Sequence, residues 1–262
     1  MDTTEKLRRM AFTPMRTPLP RGTKEILDRA STEVEVVDGD KVVHYVWGDG
    51  ERRVLLVHGW AGNAGHVAAL AEALVAEGFT VVAVDLPGHG ESEGKESSVI
   101  HFARAIEAAN ERFGPFHALV AHSMGALGAT RAMSRGVGPE KVVFFNPIAS
   151  YTSLWRRSGE LLQVSPEAIA LVRARAEDWL GVLFDDIEPL AAAPDFSSKL
   201  LIIHDAHDPE SPLPDSEALV AAWPAAELIE VENLGHTRVL RDDDMVRRVV
   251  GFVTDAQDAP RT

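Results

Sequence analysis

Apolar positions along the 262-residue chain change their rhythm once, near residue 50. Before it they alternate: Val34–Val37 and Val42–Trp47 flank Asp38-Gly39-Asp40, a pattern that predicts an antiparallel hairpin. After it come short apolar runs, rich in β-branched residues, at Val54–Val57, Val81–Val84, Leu119–Ala121, Val142–Phe145 and Leu200–Ile203, with Leu228–Val231, which Glu230 interrupts, as the last. Such runs suit strands covered on both faces. Helical patterns fall between them at Val67–Glu77, Val99–Phe113, Met124–Ser134, Asp215–Ala222 and Asp243–Val253. Strands alternating with helices predict a parallel sheet with right-handed crossovers, hence an α/β three-layer sandwich.

Two segments depart from this alternation. The stretch Lys6–Arg21 mixes Met10, Phe12 and Met15 with Pro14, Pro18, Pro20 and several arginines. It predicts an irregular N-terminal arm over residues 1–30, because the prolines prevent a long helix. Its apolar residues either pack on the domain or belong to a disordered tail. The other segment separates Asn146 from Leu200 by about fifty residues, far more than one crossover helix needs. It holds Trp155, Trp179 and Phe184, with helix-like stretches at Leu154–Leu162 and Pro166–Leu183. The expected division is a core of residues 31–149 and 194–255, a small helical cap at 150–193 and a flexible tail at 256–262. An elaborated crossover is the alternative to the cap.

Composition narrows the class. The chain is 45% hydrophobic and 25% charged, as expected of a soluble globule. It has no cysteine, which excludes disulfides, thiolate metal sites and cysteine nucleophiles and fits a reducing cytoplasm. No apolar run approaches the roughly 18 residues of a membrane span, and no apolar stretch near the start resembles a secretory signal. A net charge of −14 repels phosphate backbones and argues against nucleic acid as a partner. Nothing in the sequence sets the oligomeric state.

The candidate chemistry begins at Leu119-Val120-Ala121-His122-Ser123-Met124-Gly125-Ala126, where an apolar strand runs into Ser123 and a helix starts at once. A serine on so sharp a turn needs small residues two before and two after it, and Ala121 and Gly125 meet that need. Its oxygen then stands at a helix N-terminus, which favours developing negative charge. The competing reading is a small-residue turn with a capping serine. A nucleophilic serine needs a base, and the base an orienting acid. His236, in Asn233-Leu234-Gly235-His236-Thr237 between the last strand and the last helix, is the candidate base, with His204 and His207 as rivals. Asp208, on the loop after the Leu200–Ile203 strand, is the candidate acid; Asp205 is better placed to brace that turn. In His58-Gly59-Trp60 the glycine lets the backbone turn an N–H toward Ser123, so the backbone N–H groups of Trp60 and Met124 are the candidate oxyanion donors. Asp85, His89 and Ser92, in Asp85-Leu86-Pro87-Gly88-His89-Gly90-Glu91-Ser92, are expected to be scaffold.

Together these segments resemble the α/β-hydrolase superfamily. The carrying residues are His58-Gly59-Trp60, Asp85 to Gly90, His122-Ser123-Met124-Gly125, Asp208 and His236, over roughly residues 34 to 254. Departures are Ala121 in place of a glycine and Asp205 where a glycine often sits. The resemblance implies a mostly parallel eight-stranded sheet, a Ser–Asp–His triad, and no metal or organic cofactor. A serine at position 123 sets the chain apart from haloalkane dehalogenases and epoxide hydrolases, which use an aspartate there. By the same likeness, one glycine followed by bulky Trp60 implies a carboxylesterase for small-molecule esters of short- to medium-chain acids. Carbon–carbon bond hydrolases, thioesterases or acyltransferases, and perhydrolases share the same triad, and a non-hydrolytic ligand-binding protein on this fold is the alternative of another class. Trp60, Trp155, Trp179 and Phe184 are candidate substrate contacts, although the last three could equally form the insertion's own core.

Overall fold

The structure, a computed structural model, describes residues 8–9, 11–161 and 163–255; the tail expected at 256–262 lies outside the described residues, as do Met10 and Leu162. Eight strands form one sheet: β1 (Ser31–Val37), β2 (Asp40–Trp47), β3 (Arg53–Val57), β4 (Thr80–Asp85), β5 (Ala118–His122), β6 (Lys141–Phe145), β7 (Lys199–Asp205) and β8 (Ala226–Val231). Their order is β1-β2-β4-β3-β5-β6-β7-β8. The first hairpin is antiparallel and β2 lies antiparallel to β4, while every pairing from β4 to β8 is parallel. Asp38 and Gly39 both take positive φ, 52° and 94°, the twist a two-residue hairpin turn requires.

The unbroken apolar runs are explained by the two cores they feed. Alternate residues of each strand point to opposite faces. Leu55, Val57, Leu119, Ala121, Val142, Phe144, Leu200 and Ile202 enter one core. Val54, Leu56, Ala118, Val120, Val143, Phe145, Leu201 and Ile203 enter the other. Helices α1 (Ala68–Ala76) and α7 (Asp243–Thr254) cover the second face. Helices α2 (Val99–Phe113), α3 (Met124–Met133) and α6 (Leu213–Ala222) cover the first, giving three layers.

Between β6 and β7 the chain forms α4 (Tyr151–Leu161), α5 (Pro166–Leu180) and two short turns at Phe184–Ile187 and Pro189–Ala192. Helix α5 stops three residues before its expected end because Gly181 adopts a left-handed φ of 67° and closes the helix. The Glu188 carboxylate accepts from the N–H groups of Tyr151 and Thr152 at 3.1 and 2.7 Å, capping α4. Arg157 on α4 meets Asp215 on α6 at 3.2 Å and ties the insertion to the core.

The last helix is held from inside the sheet. Lys141 on β6 is 3% exposed, and its Nζ donates to the carbonyls of Phe252 and Val253 at 2.8 and 3.0 Å and pairs with Asp255 at 2.6 Å. A cation on the last carbonyls of α7 satisfies acceptors that the helix leaves unpaired. Lys141→Met keeps the apolar stem but removes the donor of the Phe252 carbonyl and one of the two partners of the Val253 carbonyl, which His117 Nε2 also meets at 3.0 Å. It should lower unfolding free energy by about 1–3 kcal/mol, read as a lower urea midpoint at unchanged slope; an unchanged midpoint would show the contact to be dispensable.

Candidate active site

Strands β3 and β5 to β8 all end on the same edge of the sheet, and the candidate residues gather on the loops leaving that edge, where ligands bind in open α/β sheets. Ser123 joins β5 to α3 with φ 53° and ψ −122°, a conformation an L-residue rarely adopts. Close packing holds it there. Its N–H donates to the Phe145 carbonyl at 2.9 Å, and its own carbonyl accepts from Ala126 and Ile148 at 3.0 and 3.3 Å. A Cβ added at Gly125 would lie 2.5 Å from the His58 carbonyl oxygen, and one at Gly59 would lie 2.9 Å from the Ser123 Cβ. The two glycines therefore permit a backbone contact that any other residue would push apart.

His236 lies in a short helical turn, Gly235–Arg238, between β8 and α7. Its Nε2 is 2.9 Å from the Ser123 Oγ and its Nδ1 is 2.6 Å from Asp208 Oδ2. Asp208 also accepts from the N–H groups of Glu210 and Ser211 and from the Ser211 hydroxyl. Burial pushes its carboxyl pKa up, but the hydrogen bonds from His236 and those amides outweigh burial and hold it below the usual value. An ionised Asp208 fixes the proton on His236 Nδ1, which leaves Nε2 to accept from Ser123.

A second set of residues positions these three. Asp205 Oδ2 accepts from the N–H groups of Leu234 and Gly235 at 2.6 and 2.7 Å, and its Oδ1 from His207 at 2.9 Å, bracing the loop that carries His236. The His236 carbonyl is held twice, by His122 Nε2 at 2.8 Å and by Asn146 Nδ2 at 3.2 Å. Asn146, at the end of β6 with φ 40°, also accepts from the Asp205 N–H and so links three loops. Neither Asn146 nor the anchoring role of His122 was expected from the sequence. The local sequence around Asn146 shows only that an apolar strand ends before Pro147. The rival His204 is spent on Ser211 and Ser216, at 3.0 and 2.7 Å. Asp85 accepts from Ala64 and Glu91, and Ser92 donates to the Asp85 carbonyl, so both knit loops together.

Ser123 opens into a cavity of about 330 Å³ between the core and the insertion. The core contributes Trp60, Met124 and Ile148, and the insertion Tyr151, Leu154, Trp155, Ser158, Gly159, Ile169 and Val172, with Glu210 and Ala11 completing the wall. Of the four candidate substrate contacts, Trp60 and Trp155 line this space. Trp179 does not: it stands 39% exposed against Phe12. Nor does Phe184, which is wholly buried against Tyr151 and Trp155. Phe184 packs within the insertion itself, while Trp179 joins the insertion to Phe12 and His101 outside it.

Several imidazoles are buried neutral. Burial, reinforced by His236, lowers His122 to about 3. Burial lowers His44 to about 4, with Arg112 adding to it, and lowers His89 to about 4; His58 is also driven well below its ordinary value. In the unfolded chain each takes a proton near pH 6.5, so their contribution to stability is complete above that pH and declines as pH falls toward 4. Within that window each costs about 1.4 kcal/mol per pH unit. The urea midpoint should therefore fall markedly between pH 7 and pH 5; a flat profile over that range would show these histidines to be charged in the fold.

The model of the alpha/beta hydrolase family matches residues 54–251. Among curated proteins none matches the sequence significantly. Among solved structures, an esterase of Pyrococcus furiosus superposes with a TM-score of 0.69 at 20% identity, covering 93% of this chain and 98% of its own. Est1E of Butyrivibrio proteoclasticus, solved with ferulic acid bound, superposes at 0.68 and 20% identity, covering 85% and 96%. The thioesterase domain of the curacin biosynthetic pathway superposes at 0.63 and 18% identity, covering 86% and 99%. At such identities the likeness is one of fold.

Proposed function

The chain belongs to the alpha/beta hydrolase family, and on that premise we propose that it is a serine hydrolase, a cytoplasmic carboxylesterase that cleaves esters of short- to medium-chain acids through an acyl-enzyme on Ser123. The observation that carries this reading is the hydrogen-bonded series Ser123–His236–Asp208, set on a strained turn at the floor of a mostly apolar cavity.

Each part has a chemical task. His236 Nε2 takes the Ser123 proton as Oγ attacks the ester carbonyl, and Asp208 keeps the imidazole oriented and stabilises its cationic form. The carbonyl oxygen becomes negative at the N-terminus of α3. Met124 is the first residue of that helix, so its N–H has no intrahelical acceptor, and the Trp60 N–H has none among the described residues. These two donors are the proposed oxyanion hole, worth about 3–4 kcal/mol each in sites of this kind. His236 then protonates the departing alcohol, and the same residue activates water to release the acid. The insertion acts as the cap that closes the apolar side. A volume of about 330 Å³ lies at the small end for ligand sites, which supports a compact ester.

The test is steady-state hydrolysis of p-nitrophenyl esters from acetate to decanoate, with Ser123→Ala and Asp208→Asn beside the wild type. Turnover is expected for the wild type, a loss of about 10⁴-fold or more for Ser123→Ala, and about 10⁴-fold for Asp208→Asn through the wrong imidazole tautomer. Full activity in Ser123→Ala would overturn the assignment of the nucleophile. Labelling of Ser123 by a fluorophosphonate without turnover of any ester would instead favour a ligand-binding protein that has kept the fold.

A further inference from the structure

The N-terminal arm is fastened to the core by polar contacts that few surface tails make. The Arg16 guanidinium donates to the carbonyls of Gly90, Ser92 and Gly94, three points on the loop after β4. Thr17 Oγ1 donates to the Ala61 carbonyl at 2.5 Å, and Asn63 Nδ2 returns a bond to the Thr17 carbonyl at 3.1 Å. Upstream, the Ser97 N–H donates to the Phe12 carbonyl at 2.7 Å, and Arg8 forms a two-point pair with Glu96 at 2.8 and 3.1 Å.

Held in this way, the arm reaches the insertion. Phe12 is 1% exposed, with its ring 5.6 Å from Trp155 of α4 and 4.9 Å from Trp179 of α5. Its neighbour Ala11 lies on the wall of the same cavity that Ser123 opens into, along with Trp155. A segment outside the 54–251 family match thus supplies part of the boundary of the pocket, at a position occupied by a single methyl group.

We propose that the arm is a wall of the substrate pocket and that Ala11, held in place by Phe12 and Arg16, determines the length of acyl chain admitted. The proposal rests on the serine-esterase reading above. A larger side chain at 11 fills space that the chain end would occupy. Release of the Arg16 anchor lets the wall recede.

The experiment compares full-length wild type with Ala11→Val, Ala11→Leu and Arg16→Ala, using kcat/KM for p-nitrophenyl esters from acetate to decanoate. A parallel series measures the rate at which alkyl fluorophosphonates of rising chain length label Ser123, a readout that needs no turnover. For the two Ala11 variants the ratio of long- to short-chain reactivity should fall by about tenfold or more, Leu exceeding Val, as expected when methylenes lose their place in a pocket. In Arg16→Ala the same ratio should rise. Ratios unchanged within about twofold in all three variants would overturn the proposal and leave the esterase reading intact. If the wild type is labelled but turns over no ester, the esterase reading fails and the labelling ratios alone decide the role of the arm. If the wild type is neither labelled nor active, both readings fall.

Discussion

The positive-φ turn at Ser123 is the constraint to which the rest of the candidate site is fitted. A non-glycine residue in such a conformation costs roughly 1–3 kcal/mol and persists only where its surroundings over-determine it. Here the determination comes from the sheet and from absent side chains. The Phe145 carbonyl of β6 takes the Ser123 N–H, and the turn lies against the backbone at His58 and Gly59 without a Cβ intervening at 59 or 125. Once the turn is fixed, the oxygen of Ser123 has one direction to face. The loops after β7 and β8 are then arranged to meet it.

That arrangement is made largely by backbone contacts. His236 is positioned through its carbonyl, gripped by His122 and Asn146, and through the N–H groups of the two residues before it, gripped by Asp205. Among the described residues the imidazole meets Asp208 through Nδ1 and Ser123 through Nε2, with the exposed Glu210 carboxylate farther off at 3.6 Å from Nε2. Buried neutral histidines suit this anchoring. His122 can donate from one ring nitrogen to a carbonyl without introducing a charge beside His236.

The three layers were legible because buried parallel strands leave runs of apolar residues and the helices between them keep their period; the spatial order of the strands, with β4 between β2 and β3, was not. Ser123, Asp208 and His236 were legible because each follows a strand, so the topology alone sends all three to one edge. What the sequence concealed depends on contacts without a local pattern. Asn146 joins residues far away in the chain, and its neighbours reveal only that a strand ends there. Trp155 and Trp179 look alike in sequence, yet Trp155 borders the cavity and Trp179 supports Phe12 from outside it. Helix periodicity does not tell these apart, because Trp155 faces the cavity while Trp179, 39% exposed, packs against Phe12 of the arm. Among the described residues of the arm, Phe12 packs as a core residue, and its aromatic partners lie more than a hundred positions downstream, where no local pattern points to it.

The way Phe12 bridges to Trp155 and Trp179 bears on how this chain could diverge. The hydrogen bonds around Ser123 run through the sheet and its loops, while most of the cavity wall comes from the insertion, so a change in one need not disturb the other. Exchange of the insertion is not free, however. An insertion acquired from elsewhere would arrive without the aromatic surface on which Phe12 sits, leaving a large apolar ring and the residues behind it uncovered. The arm and the insertion are thus coupled through one ring, although more than a hundred residues of core separate them.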